Sequence, residues 1–346
     1  MLEKSAQVTA ARVTGKGASL SLKRALFLLL GFLVFAVLLA LSSGYQSIDW
    51  MGLRTDEVGA TILFQIRLPR VFLGVLVGAS LAVVGAALQA LFRNPLADPF
   101  ILGVSGGGAL GASVAISLGA GASIAGVPLV FVAAFLGAGA AVFVVYKLAS
   151  SGTIVLPGAL LLAGIVLNLI AAAGVLVIQY LADYTRALQI LRWMIGSLDV
   201  VGFGLVWRVA LFVLPGVVML LFSARDLHLL AVDEETAASL GVDVRRVERI
   251  VYAASSMVVG ATVAVAGPIG FVGLIVPHAV RALFGEDLRL VLPCSLLLGA
   301  SFLVLADTVA RTLLGGGELP VGAVTALAGG PTFLWLLRRR QRYSAI

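Results

Sequence analysis

Apolar positions run along this chain in unbroken blocks of helical length rather than in alternation. They fall at 25–43, then near 70–92, 99–118, 126–148, 158–181, 205–222, 250–267, 270–284, 290–306 and 320–337. About 20 apolar residues cross a hydrocarbon core as a helix, so the pattern predicts an all-α polytopic membrane protein of about ten spans. The breaks carry turn chemistry: Asn94-Pro95, Gly121 to Pro128 and Ser150 to Pro157. Three stretches are polar. Residues 44–69 hold Asp49, Arg54, Asp56, Glu57 and Arg67 and read as an aqueous loop; 183–199 reads as a short outer helix; 223–249 is dense in charge. Ala40-Leu41-Ser42 resembles a signal cleavage site, but the preceding apolar core exceeds the ~7–15 residues of a signal sequence. The segment therefore reads as an uncleaved first helix. Continuous apolar blocks also exclude the dyad pattern of an outer-membrane barrel.

Composition sharpens that picture. Charged residues make up 12% of the chain, about half the usual share. Residues 99–146, 148–182 and 250–280 contain no Asp, Glu, Lys or Arg at all. The net charge of +7 does not point to nucleic acid, because the basic residues gather at the ends. Lys4, Arg12, Lys16, Lys23 and Arg24 precede the first block, and Arg338, Arg339, Arg340 and Arg342 follow the last. With both termini cytoplasmic, 17 Lys and Arg lie inside and 7 outside, as the positive-inside rule requires. The expected organisation is a cytoplasmic tail (1–24), a transmembrane domain (25–337) with its inner loop at 223–249, and a second cytoplasmic tail (338–346).

Few residues suggest chemistry. The single cysteine, Cys294, excludes an internal disulfide and a cysteine metal cluster. The run GGGALG (106–111) fits G-x-G-x-x-G literally, but no strand precedes it. Its glycines, like Gly74/Gly78 and Gly103/Gly107/Gly111, have the four-residue spacing that lets helices approach closely. No P-loop occurs, so the chain does not hydrolyse ATP by itself. Gln89 and Asn168 read as inter-helix hydrogen-bonding groups, His278 as structural, and Asp307 as the one carboxylate tolerable inside a span. No metal, cofactor or catalytic constellation is expected.

The inner loop has the grammar of a short capped helix. Asp233 suits the N-cap, Glu234 and Glu235 the first turn, and Gly241 the left-handed position after the last turn. Such a helix gains little alone. It is either a surface connector or an amphipathic element (Ala237, Leu240, Val242) docked on a cytoplasmic partner. Outside, Arg67 and Arg70 flank Leu68-Pro69 at the mouth of the second span, and Arg311 lies in the last outer loop. They either snorkel to headgroups or form exposed cations that receive carboxylates of an extracytoplasmic partner.

Several long stretches, in order, resemble one family. They are QIRLPR (65–70), ALQALFRNPLADPFILGV (87–104), TAASLGV (236–242), GPIGFVGLIVPH (267–278) and ELPVGA (318–323). The chain resembles, over roughly 25–340, the FecCD-type permeases, membrane subunits of ABC importers for iron-siderophores, haem and vitamin B12. The resemblance implies a ten-helix type II importer permease of the inner membrane. It also implies a homodimer with its path on the dimer axis, two ATP-binding subunits and an extracytoplasmic substrate-binding protein. By the same resemblance Arg67, Arg70 and Arg311 receive the binding protein's glutamates. Asp233, Glu234, Glu235, Ala238 and Gly241 belong to the helix that couples to the ATPase. Asn94 and Leu96 narrow the inner mouth of the path, and Pro157 and Gly158 stand where a second gate follows the fourth span. The rival class is a secondary carrier or channel, which needs no ATPase and requires coupling-ion ligands within the spans.

Overall fold

The computed structural model describes residues 22–44, 56–119, 123–124, 126–151, 154–155, 157–314 and 317–344. Its helices are α1 (Leu22–Ser42), α2 (Glu57–Leu91), α3 (Val104–Ser117), α4 (Leu129–Ala149), α5 (Pro157–Leu181), α6 (Tyr184–Ile195) and α7 (Gly204–Phe222). There follow α8 (Ala224–Val232), α9 (Glu234–Ser239), α10 (Val244–Ala266), α11 (Val272–Phe284), α12 (Leu288–Thr312) and α13 (Val321–Ser344). Seven of these (α1, α2, α4, α5, α7, α10 and α12) are long and apolar enough to cross a membrane. Three shorter apolar helices (α3, α11 and the first part of α13) complete the ten apolar blocks read from the sequence. Two small antiparallel hairpins, Ser123–Ile124 with Val127–Pro128 and Ser150–Ser151 with Ile154–Val155, close connections at either end of α4.

α2 is the axis of the bundle. Leu73, Val77, Leu81, Val84 and Leu88 are all buried, and the helix packs on α7, α10, α11 and α12. α1, α4 and α5 present the opposite case: Phe27, Phe35, Phe143, Leu162 and Leu169 are exposed. Lipid tails are as apolar as these side chains, so such faces cost nothing in a bilayer and the bundle is held by close packing instead. Glycine makes that packing possible where backbones meet. A Cβ at Gly78 would strike the Gly299 carbonyl of α12, and one at Gly85 the Gly273 carbonyl of α11. Gly107 meets the Gly137 carbonyl of α4 in the same way.

Three boundaries differ from the sequence reading. The expected aqueous loop 44–69 is helical from Glu57 onward, and its earlier part, including Asp49 and Arg54, lies outside the described residues. The helix passes through Pro69 because a π turn, Ile62–Arg67, precedes it. Proline lacks the N–H that would pair with the carbonyl four residues back. That carbonyl, Gln65 O, instead accepts the Gly202 N–H at 2.7 Å. α10 begins at Val244 rather than 250, because the Asp243 carboxylate accepts the Arg246 N–H at 3.1 Å and starts a helix over the charged positions. α12 extends to Thr312, which puts Asp307 and Arg311 inside it. Of the expected tails, 1–21 and 345–346 lie outside the described residues.

Candidate functional site

Polar chemistry is concentrated at the two ends of α2. Arg70 and Arg93 are 23 positions apart in the sequence, which at 1.5 Å per residue is about 34 Å, the thickness of a hydrocarbon core.

At the Arg70 end the three predicted arginines do come together, but not as exposed cations. The Arg70 side chain retains 8% of its exposure, that of Arg311 8% and that of Asp307 3%. The Arg70 guanidinium grips Asp307 through Nε and Nη2, at 3.1 and 2.9 Å from Oδ1. Its remaining nitrogen, Nη1, faces two half-exposed acids: Asp199 Oδ1 at 2.9 Å and Glu318 Oε2 at 2.8 Å. Arg311 Nε donates to Asp307 Oδ2 at 3.0 Å. Arg67 and Arg311 also reach the C-terminus of α1, donating to Leu41 O at 2.9 Å and Ala40 O at 3.2 Å. The last carbonyls of a helix have no intrahelical donors, and arginine is a natural partner for them. Arg70, Arg311 and Asp307 can therefore be buried because each meets an opposite charge, and Arg67 is held by a helix-end carbonyl. Asp307 is committed to two arginines, which is the chemistry of a structural pair rather than of a proton carrier.

At the other end, α9 is built as its sequence suggests. The Asp233 carboxylate accepts the Thr236 N–H at 2.8 Å and its hydroxyl at 2.9 Å, and this holds its pKa below the usual aspartate value. Gly241 follows the last turn with φ +87 and nothing near its Cα face. Ala237 is fully buried against the bundle, whereas Glu234, Glu235, Ala238 and Leu240 face outward. A six-residue helix thus offers one anchored face and one free face with an acidic first turn.

Between this helix and α2 stands a residue the sequence reading did not single out, Arg93. α2 ends on it in a left-handed conformation, φ +48. The Arg93 N–H bonds Ala90 O and the Asn94 N–H bonds Gln89 O, both at 3.1 Å, the paired closure of a Schellman motif. Glycine is the usual occupant, and a residue with a Cβ there costs about 1–2 kcal/mol. The Arg93 side chain makes compensating bonds: Nε to Leu230 O at 3.0 Å and Nη2 to Glu234 Oε2 at 3.4 Å. Asp199 and Glu318 were missed as well. Neither was given a role, since their partner Arg70 is 129 and 248 positions away. The signal for Arg93 was local: a charged residue directly before Asn-Pro, where a helix must stop.

The remaining predicted positions are accounted for individually. Asn94 Oδ1 accepts the Leu96 N–H at 2.9 Å, which folds the Asn94-Pro95-Leu96 turn and leaves Leu96 45% exposed. Pro157 and Gly158 open α5; Gly158 is exposed with open space around it, and Leu156 lies outside the described residues. Gln89 Nε2 donates to Gly273 O at 3.1 Å and its carbonyl accepts from Arg281. Asn168 bridges Phe100 O and the Gly106 N–H, each at 2.9 Å. Both are inter-element glue of the kind expected. The 183–199 segment forms α6, capped by Asp183, with Arg186 donating to Ser117 O at 2.8 Å. Among the described residues no group of three or more His, Cys, Asp or Glu could hold a metal ion.

The profile of the FecCD transport family matches residues 26–339. The hemin transport system permease protein HmuU of Yersinia pestis is 42% identical over 330 residues, covering 92% of this chain and 97% of that protein. The vitamin B12 import system permease protein BtuC of Escherichia coli O139:H28 is 39% identical over 317 residues, covering 90% and 93%. Among solved structures, an inward-facing metal-chelate type ABC transporter superposes with a TM-score of 0.81 at 33% identity, covering 92% and 99%. A profile that matches nearly the whole membrane bundle, with relatives aligned end to end, leaves one conclusion: this chain belongs to the FecCD transport family.

Proposed function

We propose that the protein is the membrane-spanning subunit of an ABC importer that carries a large chelate (an iron-siderophore, haem or a corrinoid) across the cytoplasmic membrane. The observation that supports this most directly is the continuous helix α2 with a buried arginine–carboxylate cluster at one end and a capped acidic helix, tied through Arg93, at the other. In this reading two copies enclose the path, and two ATP-binding subunits engage α9 through Glu234, Glu235, Ala238 and the Gly241 turn. The substrate-binding protein sits on the Arg67, Arg70 and Arg311 end. Because Arg70 Nη1 already holds Asp199 and Glu318, an incoming carboxylate gains Arg70 by exchange with one of them. Asn94 and Leu96, with Pro157 and Gly158 as second gate, border the inner mouth, and both termini are cytoplasmic. The protein hydrolyses nothing: it transmits motion imposed by its ATPase.

The test is transport by the purified complex in proteoliposomes, with labelled haemin and cyanocobalamin as probes. Accumulation of one probe should require ATP and the ATPase subunit, and Glu234→Lys with Glu235→Lys should leave hydrolysis running without accumulation. Accumulation by the permease alone, or undiminished uptake by the double variant, rejects the reading. The carrier alternative finds little support among the described residues, since the buried carboxylate Asp307 is taken up by two arginines.

A further inference from the structure

α2 needs a stop before the Asn94-Pro95-Leu96 turn, and any stop of this shape is easiest with glycine. The chain has 40 glycines, so the residue was available, yet arginine occupies the left-handed position. What arginine adds is reach. Its Nε caps Leu230 O, one of the unpaired last carbonyls of α8, and its Nη2 meets the first-turn carboxylate of α9. Its backbone is shared with the turn that carries Asn94 and Leu96. One residue therefore touches the helix offered to a partner and sets the backbone of the turn proposed as a gate.

We infer that Arg93 is the positioning residue that links α9 to the Asn94-Pro95-Leu96 turn. The Nε bond anchors Arg93 to α8 and the Nη2 bond reaches α9, so displacement of α9 pulls through Glu234 on a backbone held in a conformation that L-residues avoid. Release of those bonds lets φ relax and moves Leu96 relative to α2. This rests on the importer reading above, but it assigns a role to a residue that the resemblance did not supply.

Arg93→Gly separates the two possible duties of the residue. Glycine suits the left-handed position, so the helix stop is kept, while the link to Leu230 and Glu234 is lost. The readout is Cys substituted at Leu96, labelled with a water-soluble maleimide; the native Cys294 is buried. Labelling is compared between nucleotide-free and vanadate-trapped permease–ATPase complexes. With Arg93 present the labelling rate should change between the two states. In Arg93→Gly that difference should shrink about ten-fold, a typical span for coupling between sites, with hydrolysis and thermal stability retained. Arg93→Asn, which also tolerates the left-handed region, should behave like glycine. An undiminished difference in Arg93→Gly overturns the inference alone. Joint loss of stability and labelling in both variants overturns it too, as a merely structural role would produce that, and so does loss of hydrolysis. No nucleotide-dependent change with Arg93 present overturns the importer reading itself.

Discussion

The Arg70–Asp307–Arg311 cluster shows how a membrane bundle tolerates charge. Removing two ions from water costs several kcal/mol each, and the cost is recovered only when every partner is present with good geometry. Here the bidentate grip of Arg70 on Asp307 and the additional bond from Arg311 meet that condition. The corollary is that the centre of the cluster is its weakest point. Asp307→Asn keeps the shape of the side chain but leaves two buried guanidinium groups facing a neutral amide. We expect a loss of about 3–5 kcal/mol, read as a lower thermal unfolding midpoint in detergent. Asp199→Asn, at a side chain 65% exposed, serves as the mild comparison. Equal midpoints for the two variants would show that burial does not govern the cluster.

At the scale of elements, helix contacts are set by where Cβ atoms are missing. α2 meets α12 at Gly78 and Gly299 and meets α11 at Gly85 and Gly273, each time against backbone that cannot swing away as a side chain would. An added methyl there must push two helices apart. Gly85→Ala should therefore destabilise by about 1–3 kcal/mol, the usual cost of overpacking. Gly139→Ala on α4, where nothing lies within 4 Å of the added Cβ, should be neutral or slightly stabilising through helix propensity. Thermal melts of the two variants side by side check this, and an equal response would mean that the contact yields. The same scale explains α9, which is too short to be stable from propensity alone. It persists because Asp233 caps it, Gly241 ends it and Ala237 is buried beneath it.

Across the whole molecule, the distribution of charge and the distribution of exposed apolar surface describe the same object. α1, α4 and α5 expose leucine, valine and phenylalanine that only a lipid or a second membrane chain can cover. The basic residues at the two ends of the sequence argue that both termini face the cytoplasm. A reporter fused after residue 346 should accordingly be active only on the cytoplasmic side. Activity on the opposite face would require an odd number of crossings and would undo the assignment of the Arg70 and Glu234 ends.

Much of this was legible in one dimension, because the signals are local. A helix that crosses lipid must satisfy its own backbone and present apolar side chains, so apolar block length reports the spans. A cap needs its residues within a few positions, so Asp233 and Gly241 mark α9 in the sequence itself. The misreadings share the opposite cause. Arg70 looks like a surface cation in the sequence, because the groups that neutralise it lie far away along the chain: Asp307 is 237 positions from it and Glu318 is 248. The Asp307–Arg311 pair, four residues apart, is by contrast a local one. A charge is tolerable inside a bundle only when its partner arrives with it, and that arrival is a tertiary event. The length of α2, the burial of its arginines and the bond between Arg93 and α9 were therefore decided by packing, whereas the number of apolar helices and the chemistry of their caps were already written in the order of the residues.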